Sequence, residues 1–196
     1  MSKLYKYGFW ILIIVAFSFF NLWRITKINS DKDFKSTREF NNKRISSLLA
    51  SDIIIRRKIM PLTGWDILTN KKENDLLKGS SLVILLADFK CNKCQEKELE
   101  RLDSLKTIVD KKGIRVMGIT TKAKMDVVIS ERKITKFNFP VYRIDDESFY
   151  KNIAFSNEFP QLLYVVDNVI ITAFRPVPLD TEFSKLFYYY LLNKRF

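Results

Sequence analysis

Residues 81–89 (SLVILLADF) form a near-continuous apolar run that leads, after Lys90, into Cys91-Asn92-Lys93-Cys94 and then a change of period. Such a run reads as a strand buried on both faces, so the chain around it has to build a sheet covered above and below. Beyond the cysteines, Leu99, Leu102, Leu105, Ile108 and Val109 recur at three- and four-residue spacing among Glu96, Glu98, Glu100 and Arg101. That spacing predicts an amphipathic helix, closed by the basic turn and glycine of Lys111-Lys112-Gly113. Residues 114–120 (IRVMGIT) predict a second strand, and a right-handed crossover is the natural link between the two.

The rest of the chain extends this pattern. A further helix is read over 124–136 from Val127, Val128, Ile129 and Ile134, and Pro140 opens a short strand. Residues 147–155 read as a short helix or turn. Residues 161–166 (QLLYVV) and 169–174 (VIITAF), joined by Asp167-Asn168, predict a β-hairpin. Asp180 caps a last helix in which Phe183, Leu186, Phe187, Tyr190 and Leu191 share a face. Ahead of the long strand, 53–55 and the region of Trp65, Ile67 and Leu68 read as one or two short strands. The predicted class is α/β, a central mixed sheet with helices on both sides.

The amino-terminal quarter is different. Residues 8–23 (GFWILIIVAFSFFNLW) carry no charge and lie between Lys3 and Lys6 on one side and Arg24 and Lys27 on the other. As a helix this stretch is about 24 Å long, and its neighbours Leu4, Tyr5 and Ile25 bring it to the thickness of a bilayer core. Trp10 and Trp23 sit near its ends, as interfacial aromatics do. A cleaved signal would end in small residues, and this run ends in Phe19, Phe20, Leu22 and Trp23. A buried core helix would show a polar face, and none is present. The expected organisation is therefore a tail at 1–7, a transmembrane anchor at 8–25, a polar stalk at 26–50 and a folded domain at 51–196.

Charge and cysteine usage then limit the chemistry. The chain has 34 Lys and Arg, 22 Asp and Glu, and no His, for a formal charge of +12. Without histidine there is no Ser-His-Asp or Cys-His constellation. Residues 1–50 hold 9 basic residues against 3 acids, half of the net excess, so the charge belongs largely to the membrane flank and stalk. The domain's basic residues are spread among acids, which argues against a nucleic-acid partner. With 2 cysteines and no histidine, a zinc site lacks its four ligands, and no metal or cofactor is expected.

Both cysteines fall in one C-x-x-C where the buried strand hands over to a helix. At a helix N-terminus, free N–H groups and the positive dipole end favour a thiolate, which makes Cys91 the candidate nucleophile. Cys94, one turn further in, is placed to close a small disulfide with it. Lys90 and Lys93 are candidates for lowering the Cys91 pKa, the alternative being that both are simply solvated. A static disulfide across so short a loop would stabilise little, and redox exchange is the reading that gives the pair a purpose.

The order strand, C-x-x-C, helix, strand, helix, strand, then a Pro-led hairpin and a closing helix resembles the thioredoxin fold. In particular it resembles the membrane-anchored TlpA/ResA-like (redoxin) thiol:disulfide oxidoreductases of bacterial envelopes. The resemblance implies a membrane-tethered enzyme exchanging disulfides through Cys91 and Cys94 on a protein or small-molecule disulfide, with no cofactor. It implies a membrane thiol carrier as electron donor and a domain on the periplasmic side. Lys/Arg counting alone would put the domain in the cytoplasm. It also implies a cis proline against the C-x-x-C, for which Phe159-Pro160 is the candidate substrate-binding pair; the alternative reading of Pro160 is a strand-opening trans proline. The sequence departs from the family at three points. Phe89-Lys90 stands where a Trp precedes the first cysteine, Asn92-Lys93 where a proline is frequent, and Leu85 where thioredoxins carry a proton-relaying residue. These departures bear on the rate and direction of exchange and leave room for a binding module without turnover. A peroxidase would need the Pro and Thr of peroxiredoxins ahead of Cys91, and they are missing.

Overall fold

The computed structural model describes residues 2–87 and 92–193, with the side chains of all of these except 2–12, 14 and 92–94. The chain divides into two compact units, Met1–Lys43 and Arg44–Phe196. The first unit is helical: α1, Ser2–Asp52, runs through it and ends within the second. No glycine or proline interrupts residues 24–52, so the stretch avoids the two largest helix-propensity penalties. In the first unit Phe17, Phe19, Phe20, Leu22 and Trp23 are all exposed. Among the described residues no helix is long and apolar enough to cross a membrane. Part of the 8–25 stretch read as an anchor lies outside the described side chains.

The second unit is built on a seven-stranded sheet in the order β2-β1-β5-β4-β3-β6-β7. Its strands are β1 Gly64–Asp66, β2 Lys72–Glu73, β3 Ser80–Leu86, β4 Arg115–Thr121, β5 Val141–Ile144, β6 Gln161–Val166 and β7 Val169–Phe174. The apolar run is β3. It pairs parallel with β4 and antiparallel with β6, while β4 pairs parallel with β5. Buried on both faces, β3 sends Leu82, Ile84 and Leu86 into one core and Val83, Leu85 and Ala87 into the other, as the two-residue period of a strand requires.

The three helices α2 Asn92–Asp110, α3 Met125–Thr135 and α4 Thr181–Asn193 all contribute to the core of Leu82, Ile84 and Leu86. The expected distribution of helices over both sides is thus uneven. Both crossovers, β3 to β4 and β4 to β5, step in the same direction along the sheet, and right-handed connections that step the same way leave their helices on the same face. Opposite them the cover is Ile54, Ile59, Leu62, Leu76 and Leu77 with Phe149 and Ile153 of a short π-helical segment, Ser148–Ile153.

Two expectations need correction. Residues 53–55 form no strand: they turn out of α1, with Ile54 N–H bonded to Ser51 O at 3.3 Å, Ile54 buried and Ile53 exposed. The chain reaches the sheet edge just afterwards, where Lys58 bridges Val169 and Ile59 N–H donates to Asn168 O at 2.7 Å. In α4 the buried residues are Ser184, Tyr188 and Leu191, while Leu186 and Tyr190 are exposed. Phe187 stacks on Phe174 at 4.4 Å, and the Tyr188 hydroxyl donates to Glu98 at 2.9 Å. These contacts rotate the helix away from the face its apolar residues alone would choose. Leu186 and Tyr190 instead line an open apolar groove of about 530 Å³ with Leu48 and Leu49.

The hairpin and the last cap match their sequence signals. Asp167 and Asn168 both have positive φ, 46° and 63°, the geometry of a tight hairpin turn. Asp180 accepts the Phe183 N–H at 3.1 Å on one carboxylate oxygen, and Arg44 bonds both oxygens at 2.5 and 2.8 Å. Those bonds to Arg44 hold the Asp180 carboxyl below the ordinary range. A depressed carboxylate contributes stability above its unfolded pKa and loses it as pH falls through the folded value. Asp180→Ala is therefore expected to cost about 1–2 kcal/mol at neutral pH, and the deficit to shrink on acidification. Urea unfolding of both proteins across that range checks this; a deficit independent of pH would contradict it.

Candidate functional site

β3 delivers the chain to the cysteines. It ends at Leu86, followed by buried Ala87, and α2 opens at Asn92, so Lys93 and Cys94 lie in its first turn. Cys91 and Lys90 lie outside the described residues, as do the side chains of Lys93 and Cys94. The junction is at the carboxyl ends of parallel strands, where open α/β sheets present their sites. It is also at the amino end of α2, a helix of 19 residues whose first-turn N–H groups have no partners within the helix.

Pro160 reaches this junction through strand register. Gln161 opens β6 opposite Leu85 of β3. The residue before it, buried Pro160, therefore stands beside the exit of β3, and its peptide bond with Phe159 is cis. The Phe159 ring stacks on Phe149 at 5.7 Å and meets Tyr150 edge-on at 6.4 Å. The loop ahead of Pro160 is pinned by Gln161, itself fully buried. Its carboxamide nitrogen donates to Ser156 O at 2.6 Å and Glu158 O at 3.0 Å, and its oxygen accepts the Phe155 N–H at 3.0 Å.

The helix carrying Cys94 has a polar interior that its sequence pattern does not reveal. Glu98 alternates with charged residues and reads as solvent-facing, yet it is 3% exposed, bonded by Arg101 and by Tyr188 of α4. Burial pushes its carboxyl above the ordinary range, outweighing the Arg101 charge and the hydrogen bonds from Ser184 and Tyr188. Gln95, next to Cys94 in the chain, is 1% exposed, and neither end of its carboxamide has a partner among the described residues. On α3, Glu131 is buried with one unpaired oxygen, and burial reinforced by Glu96 raises its pKa. Leu85 points into the apolar core opposite the helices and is fully buried. Among the described residues no group of carboxylates or other ligands is placed to hold a metal.

The cis Phe159–Pro160 bond thus lies at the end of the sheet where β3 hands over to α2. No protein-family model matches the sequence, and no curated protein matches it. Solved structures do match. A thiol:disulfide interchange protein from Bacteroides sp. has 16% identity and a TM-score of 0.51, over 67% of this chain and 87% of its own. The thioredoxin domain of a thiol-disulfide oxidoreductase from Bacteroides vulgatus has 16% identity and a TM-score of 0.51, over 69% and 96%. A secreted Mycobacterium tuberculosis disulfide oxidoreductase homologous to E. coli DsbE has 13% identity and a TM-score of 0.50, over 63% and 90%. With these matches and the strand order given above, the Arg44–Phe196 unit has the thioredoxin-like α/β fold.

Proposed function

We propose that the chain is a thiol:disulfide oxidoreductase that works through Cys91 and Cys94. The observation that carries this reading is the thioredoxin-like fold in which the sequence places the C-x-x-C after the central strand β3 and into the start of α2, with a cis Phe159–Pro160 bond leading into β6, the neighbour of β3. The Cys91 thiolate attacks one sulfur of a substrate disulfide, the other sulfur leaves as a thiolate, and a mixed disulfide forms. Cys94, deprotonated in turn, attacks the Cys91 sulfur, releases the second substrate thiol and leaves a Cys91–Cys94 disulfide. Two electrons pass to the substrate, and a donor dithiol restores the pair. The N–H groups of α2, with Lys90 and Lys93, stabilise the thiolate, and the backbone at Phe159 and Pro160 receives the substrate chain. The chemistry needs no bound cofactor.

The tether belongs to the same proposal. The apolar stretch at 8–25 anchors the chain in a membrane, with the domain on the extracytoplasmic side and a membrane thiol carrier as electron donor. The exposure of Phe17, Phe19, Phe20, Leu22 and Trp23 supports this, since a helix in water would cover such side chains. An oxidising compartment suits a cycling disulfide. The test is reduction of insulin disulfides by the purified 196-residue chain with dithiothreitol as donor. The expected rate exceeds that of dithiothreitol alone by about tenfold or more; equal rates would overturn the proposal.

A further inference from the structure

The loop before Pro160 is also tied from behind. Arg175 follows β7 directly, and its side chain is 12% exposed. One terminal nitrogen donates to Ser156 Oγ at 3.2 Å and pairs with Glu158 at 2.6 Å. The other donates to Ser46 Oγ at 3.1 Å, and the Arg175 carbonyl accepts the Ser47 hydroxyl at 2.5 Å. Ser46 and Ser47 belong to the last turns of α1. Ser156 Oγ in turn accepts the Glu158 N–H at 3.1 Å, which closes the turn that leads into Phe159.

We infer that Arg175 is a positioning residue for disulfide exchange, locking loop 155–160, and with it the backbone at Pro160, to the base of α1. The assignment rests on the exchange reading above. A guanidinium is planar and holds several donors in a fixed fork, so it can engage Ser46, Ser156 and Glu158 together. The single ammonium of a lysine cannot span the same three groups. The Glu158 side chain is 59% exposed, and an ion pair with so open a partner adds little to stability. What the fork does is restrict the loop. A loop held in one position presents its backbone to an incoming strand without an ordering cost at each encounter.

The test compares R175A, R175K and E158A in the 196-residue chain by two assays. One is reduction of a disulfide-bonded peptide; the other is alkylation of Cys91 by iodoacetamide, which is small enough to need no loop. R175A is expected to raise KM for the peptide about tenfold with kcat within about twofold and the alkylation rate unchanged, R175K to recover part of the loss, and E158A to raise KM about threefold. Equal KM in wild type and R175A overturns the assignment. So does a parallel fall of alkylation and exchange, which would mark Arg175 as a general structural residue. Should R175A not fold, E158A decides, and an unchanged KM there overturns the assignment. A wild-type chain without turnover would overturn the exchange reading itself and this assignment with it, an outcome distinguished by the wild-type assay alone.

Discussion

Cys91→Ser is expected to return insulin reduction to the rate of dithiothreitol alone, a loss of about tenfold or more in rate, because the remaining thiol, Cys94, resolves the mixed disulfide on Cys91 and does not open the substrate disulfide itself. Cys94→Ser is expected to behave differently. Its first thiol still attacks, and with no resolving thiol the mixed disulfide between Cys91 and the substrate accumulates until external thiol releases it. The two variants therefore separate the roles: one forms no adduct, and the other forms an adduct visible as a mass increase equal to the substrate peptide. Trapping by Cys91→Ser and loss of attack in Cys94→Ser would exchange the assignments. Full activity in either would remove that cysteine from the mechanism.

The largest expected effect on stability is at Phe149. Its ring is fully buried in the core opposite the helices and stacks on Phe159 next to the cis proline. Phe149→Ala removes that burial and leaves a cavity, at a cost of roughly 3–5 kcal/mol, equivalent to a Tm lower by roughly 6–20 °C for a domain of this size. Leu186→Ala, at a side chain 63% exposed on the groove, is the control and should stay within about 0.5 kcal/mol of wild type. Urea unfolding measures both. Because Phe149 supports Phe159, the surviving folded fraction of Phe149→Ala should also bind peptide disulfide more weakly. A loss below about 1 kcal/mol would mean that the core beneath the Pro160 loop is not the packed layer described above.

Much of the fold could be read from the chain because its local signals agree with its tertiary contacts. The apolar continuity of 81–86 marked a strand covered on both faces, and Asp167-Asn168 adopts the left-handed backbone a tight hairpin demands. Pro160 is singled out as a cis candidate only by the resemblance to the thioredoxin fold, since its local sequence suits a trans proline as well, and its peptide bond is cis. What was illegible depends on rotation and on distant partners. Glu98 sits among charged residues and gives no local sign of burial; only the approach of Tyr188, 90 residues away, brings it inside. Arg175 reads as the polar end of a strand, and its function as a fork depends on Ser46, Ser156 and Glu158 from separate segments. Ser47 falls in a stretch read as a polar stalk, yet it is buried at 0% exposure. Small hydroxyl residues facing carbonyls inside a domain look, in sequence, like any solvated helix.

The proposal stands most directly on the redox behaviour of the two cysteines. The 196-residue chain, equilibrated across a series of dithiothreitol redox buffers, quenched and labelled with an alkylating mass tag, reports how many thiols are free at each potential. The expected result is a single transition in which both thiols disappear together with a two-electron slope, about 30 mV per decade, and no buffer-derived adduct remains at either end. Two thiols that stay free at every potential, or that are lost one at a time as separate mixed disulfides, would contradict a Cys91–Cys94 exchange pair.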